Sequence, residues 1–150
     1  MPSRVPELID ALVALAETEV APAGVRIADG PEATDDAAPD WLIVGYDGDP
    51  NGDFEAAQTA GGWSDLSTGR EETFQVTVAV VVNRGDTDVK AARDRAYEIA
   101  GLLAAPLRAD PSVGLPSLEA AIEATRLLPD QTDQGAQARL LLMVAGRAFV

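Results

Sequence analysis

From Glu71 onward the residues alternate: Phe74, Val76, Val78, Val80 and Val82 fall on one side of an extended chain, and Thr73, Gln75, Thr77, Ala79 and Val81 on the other. That is the two-residue period of a β-strand. Asn83-Arg84-Gly85 ends the run, and Asp86 or Thr87 is placed to accept hydrogen bonds from the free amides of a first helical turn. The period then changes. Val89, Ala92, Ala96, Ile99, Leu103 and Leu107 recur three or four apart, while Lys90, Arg93, Asp94, Arg95 and Glu98 mostly occupy the remaining faces. A helix over residues 88–108 with one apolar stripe follows from that spacing. Such a strand and helix must bury their apolar faces in layers, which makes 71–107 the organising centre of the chain.

The flanking segments extend the same architecture. Residues 6–20 predict a first helix, with Leu8, Leu12 and Leu15 on its stripe, Ile9, Val13 and Ala16 widening it, and Pro6 in the first turn. Residues 25–28 predict a short strand, and the Asp, Ala and Pro of 29–40 a surface loop. The nearly unbroken apolar run 41–46 predicts a strand buried on both faces or covered by a subunit contact. In 118–128, bounded by Pro116 and Pro129, Leu118, Ala120, Ile122, Ala124 and Arg126 alternate against Glu119, Ala121, Glu123, Thr125 and Leu127. We read it as a strand in preference to a helix. Residues 136–149 form its hairpin partner, with helix the alternative over 137–145. The expectation is one α+β domain spanning residues 1–150. Its largely antiparallel sheet of four to five strands is covered on one face by two α-helices, with a long extended loop between the second and third strands.

Composition narrows the chemistry. The chain of 150 residues contains neither cysteine nor histidine, so disulfides, thiolate metal sites, a cysteine nucleophile and a histidine base are excluded. A formal net charge of −14 opposes binding to phosphate backbones, which depends on clustered Lys and Arg. No apolar run is long enough to cross a bilayer, and the N-terminus does not resemble a signal peptide. Acidic pairs such as Asp35 with Asp36, Glu71 with Glu72 and Asp86 with Asp88 are best read as solvated loops and helix N-termini. The glycines at 61 and 62 lack the lysine and helix of a phosphate loop. We therefore expect no enzyme and no cofactor.

Two stretches suggest binding. Asp47, Asp49, Asn51 and Asp53, with Gly52, match the opening of an EF-hand loop. The match ends there: Gln58 stands where the bidentate glutamate belongs, Pro50 stiffens the loop, and a strand rather than a helix precedes it. These residues are a weak calcium candidate, and an Asp- and Gly-rich turn is the preferred reading, so no metal is expected. Beyond them an arm over residues 48–70 carries Phe54, Trp63 and Leu66 among polar residues. An arm this long in a compact domain is usually functional, and its aromatics suit either a subunit interface or a cover for the sheet. Arg93, Arg95 and Arg108 on the second helix read most simply as solvated charges, and in so acidic a chain they also suit contacts with carboxylates of another copy.

Three segments carry a family resemblance: Trp41-Leu42-Ile43-Val44-Gly45-Tyr46-Asp47-Gly48, Glu72-Thr73-Phe74-Gln75-Val76 running into the valine strand, and Gly85-Asp86-Thr87-Asp88-Val89 with Ala91-Ala92-Arg93-Asp94-Arg95-Ala96. Together with the first helix and final hairpin, they resemble the tail terminators of long-tailed phages infecting actinobacteria, which belong with the head-to-tail joining proteins. The resemblance implies an α+β subunit that closes into a hexameric ring. Such a ring caps the growing tail tube, meets the tail-tube protein and the head connector or stopper protein, and lets DNA pass through its lumen without specific binding. It also implies a virion protein of the tail or neck, assembled in the host cytoplasm without a membrane partner. Other neck components, such as a head-completion or stopper protein, share these features. A calcium-binding interaction module is the more distant alternative.

Overall fold

The computed structural model describes residues 3–31, 38–61, 70–132 and 135–149. In chain order these form α1 (Val5–Glu19), a single 3-10 turn (Ala21–Ala23), β1 (Arg26–Asp29), β2 (Asp40–Val44), β3 (Ala57–Gly61), β4 (Glu71–Asn83), α2 (Val89–Ala109), β5 (Leu118–Thr132) and β6 (Gly135–Phe149). The strands make one mixed six-stranded sheet in the order β1-β2-β4-β6-β5, with β3 joined to β4 beside β2. Among the described residues only the β1–β2 pairing is parallel.

β4 is the axis of this sheet. β6 runs along the whole of one edge, from Glu71 opposite Phe149 to Asn83 opposite Gln137. The other edge is shared: β2 pairs Val44 with Val78, and β3 resumes with Ala57 opposite Val76. At the junction the Gly45 amide donates to the Thr77 carbonyl at 2.7 Å, and the Thr77 amide donates to the Ala56 carbonyl at 3.0 Å. β2 and β3 thus behave as one strand, interrupted where the chain leaves the sheet at Tyr46 and returns at Ala56.

The alternation decides which side is buried. Phe74, Val76, Val78, Val80 and Val82 share a core with Leu42 and Val44 of β2 and with Ala138, Leu140, Leu142 and Val144 of β6. Above them lie Leu8, Leu12 and Ala16 of α1 and Ala92, Ala96, Ile99, Leu103 and Leu107 of α2, so both helices cover the same face. Removing a leucine side chain such as Leu103 from water contributes about 2 kcal/mol. Two buried acids lock these layers. Asp40 accepts from Arg84 at 2.7 Å and from Nε of Arg95 at 3.0 Å, and Arg95 also donates to the Ala23 carbonyl at 2.7 Å. Glu72 accepts from the Arg4 amide at 3.0 Å, which places a carboxylate at the start of α1, where the helix dipole favours it.

Several elements depart from the sequence expectation. The sheet has six strands rather than four to five, because residues 57–61 of the expected loop add β3 to the edge of β4. Asp88, rather than Asp86 or Thr87, caps α2, accepting from the Ala91 amide at 3.0 Å. Asp86 instead accepts from the Asp88 amide and so shapes the turn. β5 continues past Pro129 to Thr132, and its register shifts between Ile122 and Ala124. That bulge reverses the faces, so Leu127 joins the helix-side core that Leu118 and Ala120 serve before it. The hairpin tip is pinned to the β4–α2 turn. The Ala136 amide donates to the Asp86 carbonyl at 2.7 Å, and Gly135, at φ 114°, lies so close that a Cβ would stand 2.1 Å from the Arg84 carbonyl oxygen.

Candidate functional site

The sheet face opposite the helices has its own apolar centre. Ala28, Ile43, Tyr46, Ala79 and Val81 are buried there, with Trp41 and Leu141 packed against them. The register adds Met143 and Ala145 of β6 to this face, and both stay partly exposed. Arg26 lies over the Trp41 ring at 5.8 Å, a cation–π contact.

Residues 46–55 form the cover over part of that centre. Gly48, at φ 77°, lies flat on the sheet: a Cβ there would meet Arg139 Cδ and Val81 Cγ2 at 3.1 Å each. Arg139 donates to the Asp47 carbonyl at 3.2 Å and faces the Asp49 carboxylate at 3.8 Å, fastening the loop from below. Within the loop the carboxylates bind the backbone: Asp47 accepts from the Asp49 amide, Asp49 from the Asn51 amide, and Asp53 from the Glu55 amide, at 2.9 to 3.1 Å. These are Asx turns, so the acids that match an EF-hand opening are engaged in shaping the loop. Among the described residues no group of three or more acidic or other metal-ligating side chains converges on one point. Burial, and then the charges of Asp47 and Asp49, push the Tyr46 hydroxyl above its ordinary pKa, against the pull of Arg139.

Phe54 stands at the end of this loop. Its ring stacks on Tyr46 with centroids 5.4 Å apart, yet half of the residue is exposed. Its φ of 60° is a left-handed value that a non-glycine side chain rarely adopts, so the loop carries this residue at a local cost. Of the other arm residues singled out from the sequence, Trp63 and Leu66 lie outside the described residues. The two helix arginines separate. Arg93 is exposed on α2, whereas the Arg95 guanidinium turns inward to Asp40 and the Ala23 carbonyl and also meets Glu98.

A second feature lies near the start of β4, where Thr73 lines it. A cavity of about 510 Å³ is walled by Ala104 and Leu107 of α2, by Ala121 and Ile122 of β5, and by Gly146 of β6. Arg108, Arg147 and Glu119 also line it, Arg147 paired with Glu119 at 2.8 Å. Among the described residues no carboxylate comes within ion-pair reach of Arg108. Its walls come from four separated segments, with small and aliphatic residues in the majority, a combination that carries no sequence motif. A comparison with protein families finds no matching family model, and none of the curated proteins compared matches the chain.

Proposed function

We propose that this chain is a structural subunit that assembles into a ring in the neck or tail of a phage, acting as a tail terminator that stops tube growth and joins the tail to the head connector. The observation that carries this reading is the sheet's second face. Its apolar centre continues from the loop-covered residues onto Met143 and Ala145, with the half-exposed Phe54 beside it. A partly exposed apolar surface of this kind suits a subunit contact. The likeness of the 41–48, 72–76 and 85–96 segments to tail terminators supports the particular role. Tail-tube and head-connector or stopper proteins are then the partners, and DNA passes the ring without specific binding.

The test is assembly. Light scattering of the purified chain, alone and with tail-tube protein, is expected to show a six-subunit particle, and added rings are expected to shorten tubes polymerising in vitro. A chain that stays monomeric under both conditions would falsify the reading. A ring that leaves tube length unchanged but binds the head connector moves the chain to a neighbouring neck position, as a head-completion or stopper protein.

A further inference from the structure

We infer that Phe54 and its flanking acids form the donor half of a head-to-tail contact, and that the α2–β5–β6 cavity of a second copy of this chain is the acceptor. The inference rests on the ring reading and deepens it by naming both surfaces. Phe54 is aromatic and half exposed, with one face stacked on Tyr46, and it stands at φ 60° between Asp53 and Glu55, which are also exposed. The cavity offers what that tip lacks: about 510 Å³ lined by Ala104, Leu107, Ala121 and Ile122, together with Arg108 and the paired Arg147 and Glu119. A phenyl ring gains most from an apolar, water-excluding recess, and carboxylates on either side of it gain from guanidinium partners.

Placement decides between self-closure and association. Tyr46, on which Phe54 stacks, follows Gly45, whose amide bonds the Thr77 carbonyl on the β2–β3 edge of β4, whereas the cavity is walled by α2, β5 and β6 beyond the other edge and reaches β4 at Thr73. From Thr77 to Thr73 is roughly 13 Å along β4 at the rise of an extended strand. Donor and acceptor are therefore different patches on opposite edges of β4. A contact between unlike patches is heterologous, and repetition closes it into a ring or extends it into a filament.

The absence of cysteine from the chain allows a direct test with engineered thiols. The single variants Glu55→Cys and Ala121→Cys are purified separately, mixed, and oxidised, with Thr18→Cys on α1 as the control acceptor. Seating of the loop in the cavity raises local thiol concentration, so the 55–121 disulfide dimer is expected about tenfold faster than either self-pair or the 55–18 pair. Equal rates, or a faster 55–18 pair, overturn the inference. Arg108→Glu in the Ala121→Cys protein should slow the link to the control rate, and Asp53→Arg in the Glu55→Cys protein should restore it. An Arg108→Glu rate unchanged from the parent counts against the contact. Light scattering of the unmodified chain separates the two readings. A hexamer without the 55–121 link sinks this interface and keeps the ring, whereas a link that builds open filaments keeps the interface and sinks the ring.

Discussion

Asp40 shows how one side chain joins distant parts of this fold. Its carboxylate is buried and receives Arg84 from the end of β4 and Arg95 from α2, and Arg95 extends the link to the turn after α1. Removing one partner of such a cluster leaves charges stranded in a low-dielectric site. Asp40→Ala should therefore destabilise the protein by about 3 kcal/mol in denaturant unfolding, toward the low end for buried pairs because both arginines keep some solvent contact. Arg93→Ala, two residues from Arg95 but exposed, should change stability by no more than about 0.5 kcal/mol. Tyr46 gives a second prediction at this scale. Its folded pKa is raised by burial and by Asp47 and Asp49, so its protonated form favours the folded state. That contribution is complete below the unfolded value near 10 and is lost as pH rises through the higher folded value. Unfolding followed between pH 9 and 12 should show an alkaline loss of stability that is smaller in Tyr46→Phe. Identical profiles for the two proteins would remove this role for Tyr46.

Among the elements, α2 and the 46–55 loop separate what was legible in the sequence from what was not. The stripe through Ala92, Ala96, Ile99, Leu103 and Leu107 gave the helix and its buried face, because each position is decided by a local period. The cap was displaced by one or two residues, since Asp86, Thr87 and Asp88 all have suitable side chains and the turn geometry chooses among them. Asp88→Ala should cost about 1 kcal/mol, and an Asn in its place much less. β3 escaped notice because Ala57-Gln58-Thr59-Ala60-Gly61 has no apolar alternation. Its residues are mostly exposed, so β4 alone recruits it through backbone pairing. The bulge after Ile122 was equally silent, since it changes the face of Leu127 without changing any local pattern. Of the candidate site, Phe54 was legible as an aromatic on a polar arm. Arg95 looked like a surface charge because Asp40, its buried partner, is 55 positions away. The loop itself is testable through Gly48, where a side chain would press on Arg139 and Val81. Gly48→Val should lift the cover from the sheet and raise proteolytic cleavage within 46–55, while the helix-face core keeps far-UV dichroism unchanged.

At the scale of the whole molecule, assembly has to overcome charge. Every copy carries a formal −14 at neutral pH, so approaching subunits repel one another before any specific contact is reached. The opposing attraction is local: a few guanidinium–carboxylate pairs and an apolar centre, effective only within a few ångströms. Salt acts differently on the two. The Debye length falls from about 30 Å at 0.01 M to about 8 Å at 0.15 M, which screens the repulsion between whole subunits more than pairs already in contact. Burial of apolar surface is little affected by salt in this range. Self-association should therefore strengthen, not weaken, as sodium chloride rises from about 0.01 to 0.15 M, opposite to an interface held mainly by complementary net charges. Sedimentation velocity across that range measures it directly. An oligomer that dissociates as salt rises would show that attraction between oppositely charged surfaces dominates, and would shift the weight of the contact from Phe54 and the apolar face to the arginines.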